Sequence, residues 1–264
     1  MNAMSKVEAA PLLKVEGLSK WYGHIPGCMD VSFEMRPGEV VGIVGESGSG
    51  KTTLLNCLSG RLPPSAGRIE FDTRRFGLRD IYTLSEPDRR RMQREDWGFV
   101  HQNPRDGLRM RVSGGANVAE PLMNMGQRHY GAMRQATLDW LSRVELDTTR
   151  IDDKPRNFSG GMQQRIQVAR NLIHGPKLVF MDEPTGGLDV SVQARLLDLL
   201  RELVRDLDLA VIIVTHDMAV ARLMADRLLV MRRGQVVETG LTDQVLDDPQ
   251  HAYTQLLVSS VLQI

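Results

Sequence analysis

The amino-acid sequence predicts an α/β fold built on a parallel sheet. Three short apolar runs, Val40 to Val44, Leu178 to Met181 and Ala210 to Val214, have the composition of strands that are buried on both faces. Helical patterns lie between them, for example in Lys51 to Leu58 and in Val192 to Leu207. This alternation of strands and helices is typical of an α/β core with right-handed crossovers.

The composition is that of an ordinary globular chain. The 264 residues include 33 basic and 33 acidic side chains, and 42% of them are apolar. Direct nucleic-acid binding is not expected, because a general binder needs a surplus of Lys and Arg. No stretch approaches the roughly 18 to 20 apolar residues of a membrane span. Residues 1–10 lack the apolar core of a secretory signal, and we therefore expect a cytoplasmic protein.

The two cysteines, Cys28 and Cys57, provide neither a disulfide framework nor a metal-ligand spacing. We expect both to be small apolar residues in a reducing compartment. Further along the chain, buried-strand runs disappear between about Gln102 and Asn157, which predicts a mostly helical insertion. The segment Arg61 to Arg111 has a local surplus of Arg. This surplus favours either a solvated helix face or a docking surface for an acidic partner or bound phosphates.

A phosphate-loop pattern, G-x-x-x-x-G-K-[ST], follows the first buried strand and opens a helix. Its glycines allow backbone N–H groups to turn towards a polyphosphate, and the helix N-terminus adds partial positive charge. The lysine of such a loop holds the β- and γ-phosphates, and the hydroxyl after it binds Mg²⁺. The predicted nucleotide-binding residues of this segment are Gly45, Glu46, Ser47, Gly48, Ser49, Gly50, Lys51, Thr52 and Thr53.

A pair of carboxylates follows the second buried strand. Asp182 is expected at the carboxyl end of this strand, the edge at which open α/β sheets bind ligands. We assign Asp182 to the support of Mg²⁺. Glu183, one residue further on, is placed to polarise the attacking water as a general base.

A helix start lies about 20 residues before these carboxylates. Ser159 is expected to cap this helix, which Gly175 and Pro176 would end. A Ser159-Gly160-Gly161 helix start between a phosphate loop and an Asp-Glu strand resembles the signature motif of the ATP-binding-cassette ATPases. This resemblance extends from Leu12 to about Leu257.

Other residues match further elements of that family in order. Tyr22 matches the aromatic residue that stacks on adenine, although Trp21 beside it is an alternative. Gln102 matches the glutamine that reaches Mg²⁺ and the attacking water, and His216 matches the histidine that contacts the γ-phosphate. Gly187-Leu188-Asp189 matches the loop that crosses to a partner subunit. Two residues of the signature depart from the family pattern, since Phe158 replaces Leu and Met162 replaces Gln.

The resemblance implies an ATP hydrolase with ATP and Mg²⁺ as its cofactors. The implied fold is one cassette domain over residues 1–264. A RecA-like phosphate-loop core with an antiparallel β subdomain covers about 12–101 and 166–257. A helical subdomain that carries the signature motif covers about 102–165. In this family the signature of one subunit completes the phosphate-loop site of the other, and this implies an ATP-dependent homodimer.

Two branches of the family resemble this sequence in different segments. Residues Pro249 to Leu257 resemble the tail of the peptide and nickel importer ATPases. The segments His101 to Arg109 and Ser113 to Asn117 resemble the ATP-binding subunits of bacterial carbon–phosphorus lyase systems for phosphonate use. The second resemblance implies docking on the soluble lyase core complex, with a second cassette ATPase as a further candidate partner. The alternatives are the motor of a peptide, nickel or phosphonate importer and a nucleotide-dependent assembly scaffold.

Overall fold

The computed structural model describes residues 10–261, which form two sheets and a helical segment. Most of residues 1–10, on which the expectation about a secretory signal rests, therefore lie outside the described part. The smaller sheet is antiparallel, with the strand order β2-β1-β4-β5. Its strands are β1 Leu13–Tyr22, β2 Ile25–Met35, β4 Ala66–Thr73 and β5 Gly77–Asp80. This sheet is the predicted antiparallel β subdomain.

The larger sheet has six strands in the order β10-β9-β3-β8-β7-β6 and is parallel except for the β9–β10 hairpin. Its strands are β3 Val40–Val44, β6 Trp97–Val100, β7 Leu178–Asp182, β8 Ala210–Thr215, β9 Arg227–Arg232 and β10 Gln235–Leu241. Val44 pairs with Thr215, and Asp182 pairs with Val214. The carboxyl ends of β3, β7 and β8 therefore meet at one edge of the sheet.

Ten α-helices are assigned within residues 10–261. They are α1 Lys51–Leu58, α2 Glu86–Asp96, α3 Pro104–Gly107, α4 Gly114–Asn124, α5 Tyr130–Arg143, α6 Gly160–Leu172, α7 Val190–Asp206, α8 Met218–Met224, α9 Thr242–Asp247 and α10 Ala252–Val261. Helices α3 to α5 form the predicted helical insertion between β6 and α6. The subdomain boundary that we expected near residue 165 falls within α6, which is continuous across it.

Two apolar cores lie on opposite faces of the six-stranded sheet. Ile43 and Phe180 point into the core that the sheet shares with α1 and the antiparallel sheet. Their neighbours Val44 and Met181 point into the other core, which contains residues of α6 and α7. Because side chains alternate along a strand, a strand buried on both faces has a continuous apolar run. This explains why β3, β7 and β8 were recognisable in the sequence.

The Arg-rich segment contains helix α2, whose surface is mostly solvated. Arg90 pairs with Glu86, and Arg91 pairs with Glu95, both on the same helix. These pairs favour the solvated-face interpretation for α2. The two cysteines are buried and free, as expected. Among the described residues, no helix combines the length and the apolar character of a membrane span.

Candidate active site

The predicted phosphate loop joins β3 to α1 at the carboxyl edge of the larger sheet. Gly45 has a φ of 149°, and a Cβ there would lie 2.3 Å from the carbonyl oxygen of Met231. Gly50 has a φ of 105°, and a Cβ there would lie 2.1 Å from the carbonyl oxygen of Gly27. Both positions require glycine, because a side chain would overlap the neighbouring backbone. The loop is therefore packed tightly on its outer side.

Lys51 begins α1 and is 6% exposed. Its Nζ donates hydrogen bonds of 2.8 Å to the carbonyl oxygens of Gly45 and Glu46. Burial lowers the pKa of Lys51 below its ordinary value, although nearby carboxylates act in the opposite direction. The hydroxyl of Ser49 is buried and has no hydrogen-bond partner among the described residues. Phosphate oxygens would supply a partner for the Ser49 hydroxyl and an acceptor for the third N–H of Lys51, so these residues fit a nucleotide.

Glu183 lies directly after β7 and is held from two sides. Its Oε2 accepts a 2.9 Å hydrogen bond from Nε2 of Gln102, and its Oε1 lies 2.9 Å from Nδ1 of His216. The backbone of Glu183 has a φ of 43°, which is uncommon for a residue other than glycine. Gln102 follows β6 and His216 follows β8, and these strands flank β7. The three predicted catalytic residues thus meet at one carboxylate.

Asp182 ends β7 beside these residues. Burial raises the pKa of its carboxyl group, and the carboxylate of Glu183 raises it further, whereas Arg61 and Lys51 act in the opposite direction. A bound cation would favour the ionised form of Asp182. The hydroxyl of Thr52, the carboxylate of Asp182 and the amide oxygen of Gln102 are oxygen donors, which Mg²⁺ prefers. Within residues 10–261 no group of three or more His, Cys, Asp or Glu could hold a metal, so phosphate oxygens would have to complete this set.

Two clefts divide the predicted site residues. The first has a volume of about 690 Å³, and its lining includes Tyr22, the phosphate loop, Thr53, Glu183 and His216. Tyr22 is 50% exposed and available for stacking, whereas Trp21 is 42% exposed and does not line this cleft.

The second cleft has a volume of about 480 Å³, and its lining includes Gln102, Gly160, Gly187 and Leu188. Gly160 of the signature motif therefore lies in a different cleft from the phosphate loop, and neither Ser159 nor Gly161 lines the phosphate-loop cleft. Ser159 and Gly160 are exposed.

The start of α6 has the geometry that its sequence predicts. The Oγ of Ser159 accepts a hydrogen bond of 3.4 Å from the backbone N–H of Met162. The side chain of Met162 packs against the apolar core, and Phe158 lies beneath the guanidinium of Arg150, whose carbon is 4.2 Å from the ring centroid. Both departures from the family pattern thus have packing roles, and the cap itself uses only the backbone of Met162.

Three contacts of the site were not predicted from the sequence. The hydroxyl of Tyr253 accepts a hydrogen bond of 2.9 Å from the backbone N–H of Glu46. The guanidinium of Arg61 lies over the ring of Phe99, 3.3 Å from its centroid. It also lies close enough to Asp182 to act against the increase in the pKa of that carboxyl group. In addition, buried glutamines of α6 contact the residues that flank Gln102 and Glu183. No local sequence signal distinguishes these side chains, because their partners are distant in the chain.

Comparisons with known proteins agree with this geometry. The model of the ABC transporter family matches residues 28–186. The chain is 64% identical over 253 residues to the "Putative phosphonates utilization ATP-binding protein PhnK" of Escherichia coli, covering 96% of this chain and 98% of that protein. It is 34% identical over 261 residues to the "Oligopeptide transport ATP-binding protein OppD" of Bacillus subtilis, covering 97% of this chain and 73% of that protein.

Solved structures of ATP-binding cassettes are also similar to this chain. The cbiO1 protein of Clostridium perfringens, part of the ABC transporter complex cbiONQ, has a TM-score of 0.78 and 29% identity. That alignment covers 90% of this chain and 91% of cbiO1. The cassette MJ0796, a dimer in a post-hydrolysis state bound to ADP and Pi, has a TM-score of 0.77 and 29% identity. It covers 87% of this chain and 98% of MJ0796.

Proposed function

The chain belongs to the ABC transporter family and is an ATP-hydrolysing cassette, and from this premise we propose that it acts in phosphonate utilisation as a cytoplasmic ATPase. In this proposal it forms a homodimer when ATP binds and docks on the soluble carbon–phosphorus lyase core complex. The observation that carries the proposal is the 64% identity, over 96% of the chain, to a relative named for phosphonate utilisation. The identity to an oligopeptide transport ATPase is much lower.

The separation of the two clefts supports a functional dimer. Lys51 lines the first cleft, whereas Gly160 lines the second, so one chain presents two halves of different ATP sites. Val190, directly after the predicted crossing loop, is 84% exposed. Leu188 of the same loop lies 3.7 Å from the position of a Cβ on Gly160, so the predicted crossing loop and the signature motif share one surface. Two such chains, related by a twofold axis, would complete both sites.

The proposed hydrolysis uses the residues that meet at Glu183. The carboxylate takes a proton from the attacking water, while Gln102 and His216 hold it in place through both oxygens. Lys51 and the backbone N–H groups of the loop hold the β- and γ-phosphates. Mg²⁺, held by Thr52, Asp182 and Gln102, would neutralise charge on the phosphates. Ser159, Gly160 and Gly161 of the partner subunit would close the site from the opposite side.

We assign docking on the lyase complex to the segment before α4, which comprises α3 and the loop after it. Arg105, Arg109 and Arg111 are exposed there, and the side chain of Arg109 is 68% exposed while it pairs with Glu120 at 2.5 Å. An acidic surface of a partner would complement this positive charge. Helix α2 has four basic and four acidic side chains, whereas residues 104–113 have three Arg and one Asp, which leaves this segment as the better candidate surface.

Affinity purification from phosphate-starved cells tests this proposal. We expect the wild-type chain to retain soluble lyase subunits and Arg109→Glu to lose them, while ATP hydrolysis by the free variant stays unchanged. Arg205→Glu, a charge reversal at an exposed position of α7, is the matched control and should retain the subunits. Recovery of integral membrane permeases instead would support the importer alternative. Normal complex assembly by Arg109→Glu would exclude this segment as the docking surface.

A further inference from the structure

Helix α10, near the end of the chain, contacts the phosphate loop directly. Tyr253 is 5% exposed, and its hydroxyl accepts a hydrogen bond of 2.9 Å from the backbone N–H of Glu46. The two residues are 207 positions apart in the sequence. This N–H is thereby directed to α10, on the outer side of the loop, and is not available to a phosphate.

Glu46 is a fixed point of the loop. Its carbonyl oxygen accepts hydrogen bonds from Nζ of Lys51 at 2.8 Å and from the N–H of Ser49 at 3.2 Å. The same residue thus connects Tyr253 to Lys51, the side chain assigned to the β- and γ-phosphates. A displacement of Glu46 would change both the direction of its backbone N–H group and the position of the Lys51 ammonium group.

Tyr253 is itself oriented by the β9–β10 hairpin. The guanidinium of Arg232 lies over its ring, 4.8 Å from the centroid, a distance at which the cation and the ring attract each other. Both oxygens of Glu238 accept backbone N–H groups of the turn before α10, those of Gln250 at 2.7 Å and His251 at 3.0 Å. Nδ1 of His251 then accepts the N–H of Tyr253 at 3.1 Å. The position of the hydroxyl is therefore determined by several contacts.

The same hairpin supports the loop at two further points. The N–H of Gly234 donates a hydrogen bond of 2.8 Å to the carbonyl oxygen of Ser49, and Met231 lies against Gly45. The hairpin and α10 therefore hold the loop from outside at residues 45, 46 and 49. Such support fixes the loop before a ligand arrives, so less conformational freedom is lost on binding.

We propose that Tyr253 is a positioning residue of the nucleotide site, through which α10 keeps the phosphate loop ready to bind phosphates. The proposal rests on the assignment of residues 45–53 to nucleotide binding. It makes α10 a determinant of nucleotide affinity, although no residue of α10 lines the phosphate-loop cleft.

The substitution Tyr253→Phe tests the proposal, because it removes the hydroxyl and keeps the ring over which Arg232 lies. The hydrogen bond stabilises the ordered loop by about 0.5 to 1.5 kcal/mol. Without it, ADP binding has to supply this free energy to order the loop, which predicts a Kd for ADP about two- to tenfold higher. ADP avoids any contribution from ATP-driven dimer formation. We expect the KM for ATP to rise by a similar factor, with kcat changed less than about twofold. A loss of kcat at unchanged Kd, or no change in either constant, would overturn the proposal.

Tyr82→Phe is the matched control. The hydroxyl of Tyr82 lies 2.7 Å from the carbonyl oxygen of Leu62 and 2.9 Å from that of Cys57 and can donate its one proton to either. Neither residue is part of the phosphate loop. This variant loses the same chemical group and should be destabilised without a change in the Kd for ADP. If Tyr82→Phe weakened ADP binding as much as Tyr253→Phe does, a general structural effect would explain both results and the proposal would be wrong.

Hydrogen exchange provides a second measurement, because coupling between two sites is reciprocal. ADP should slow the exchange of the α10 amides in the wild-type chain and slow it less in Tyr253→Phe. Exchange in α10 that does not respond to ADP in the wild-type chain would overturn the proposal. Failure of the wild-type chain to bind ADP at all would instead contradict the assignment of the nucleotide site itself.

Discussion

Substitution of Glu183 by Gln should stop hydrolysis while ATP stays bound. General-base assistance is worth about 10² to 10⁴ in rate, or about 3 to 5 kcal/mol of activation free energy. Glu183→Gln retains the shape of the side chain. Each carboxylate oxygen of Glu183 accepts one hydrogen bond, whereas the amide of glutamine has only one oxygen that can accept. The hydrogen bond that this variant loses is worth about 1 kcal/mol. The increase in activation free energy from losing the base therefore exceeds the free energy of the lost hydrogen bond.

Nucleotide binding should survive this substitution for an electrostatic reason. The charge of Glu183 raises the pKa of Asp182, so its removal favours the ionised aspartate that supports Mg²⁺. It also removes one negative charge from the cleft that receives the phosphates. We expect Glu183→Gln to accumulate as an ATP-bound dimer.

Phosphate release in the steady state and gel filtration with ATP measure these two effects. Glu202→Gln is the control, because Glu202 is exposed on α7 and lines a separate depression beside Arg143. This control should retain wild-type turnover. Unchanged turnover in Glu183→Gln would remove Glu183 from the mechanism. A hydrolysis defect without a trapped dimer would contradict the proposed order of binding and hydrolysis.

Two further predictions concern the signature and the stability of the fold. Ser159→Asp preserves a capping acceptor but directs a negative charge towards the γ-phosphate of the partner site, so we expect near wild-type thermal unfolding and no dimer on gel filtration with ATP. Ser159→Ala should instead lose about 1 kcal/mol of unfolding free energy, because it removes the cap. If Ser159→Asp formed a normal dimer with ATP, the assigned contact between Ser159 and the γ-phosphate would be excluded. Burial, and then the charge of Arg61, lower the pKa of His101 to about 4. In the unfolded chain His101 is protonated near its ordinary pKa of about 6.5, whereas in the folded chain it is protonated only near pH 4. The free energy of unfolding should therefore fall as the pH decreases from about 6.5 to about 4. Between pH 7.5 and pH 5, urea unfolding should show a smaller loss of unfolding free energy for His101→Gln than for the wild-type chain. An equal loss in both would contradict the lowered pKa of His101 as its cause.

The sequence predicted those parts of the site whose determinants are local. The phosphate loop lies within a single strand–loop–helix unit, and the cap of Ser159 needs only the following turn. Asp182 could be placed at the carboxyl edge because open α/β sheets bind ligands there, whereas His216 was assigned from the family resemblance. The contact between Tyr253 and Glu46 has no such rule, since it depends on where α10 packs. The buried glutamines of α6 were also missed, because polar residues on a helix usually face solvent.

These glutamines connect the signature helix to the catalytic residues. Gln164 and Gln167 are 1% and 0% exposed. The Nε2 atoms of both donate to the carbonyl oxygen of His101, directly before Gln102, at 3.1 Å. The Nε2 of Gln164 also donates to the carbonyl oxygen of Pro184, directly after Glu183, at 2.8 Å.

A movement of α6 relative to the sheet would leave these amides buried without partners, at a cost of about 1 to 3 kcal/mol each. It is therefore more favourable for α6 to carry the backbone beside Gln102 and Glu183 with it than to separate from them. In the proposed dimer, α6 begins with the Ser159 that would contact the ATP bound by the partner subunit. Closure of one ATP site would then displace the catalytic residues of the other, and the buried amides provide a physical route by which the two sites influence each other.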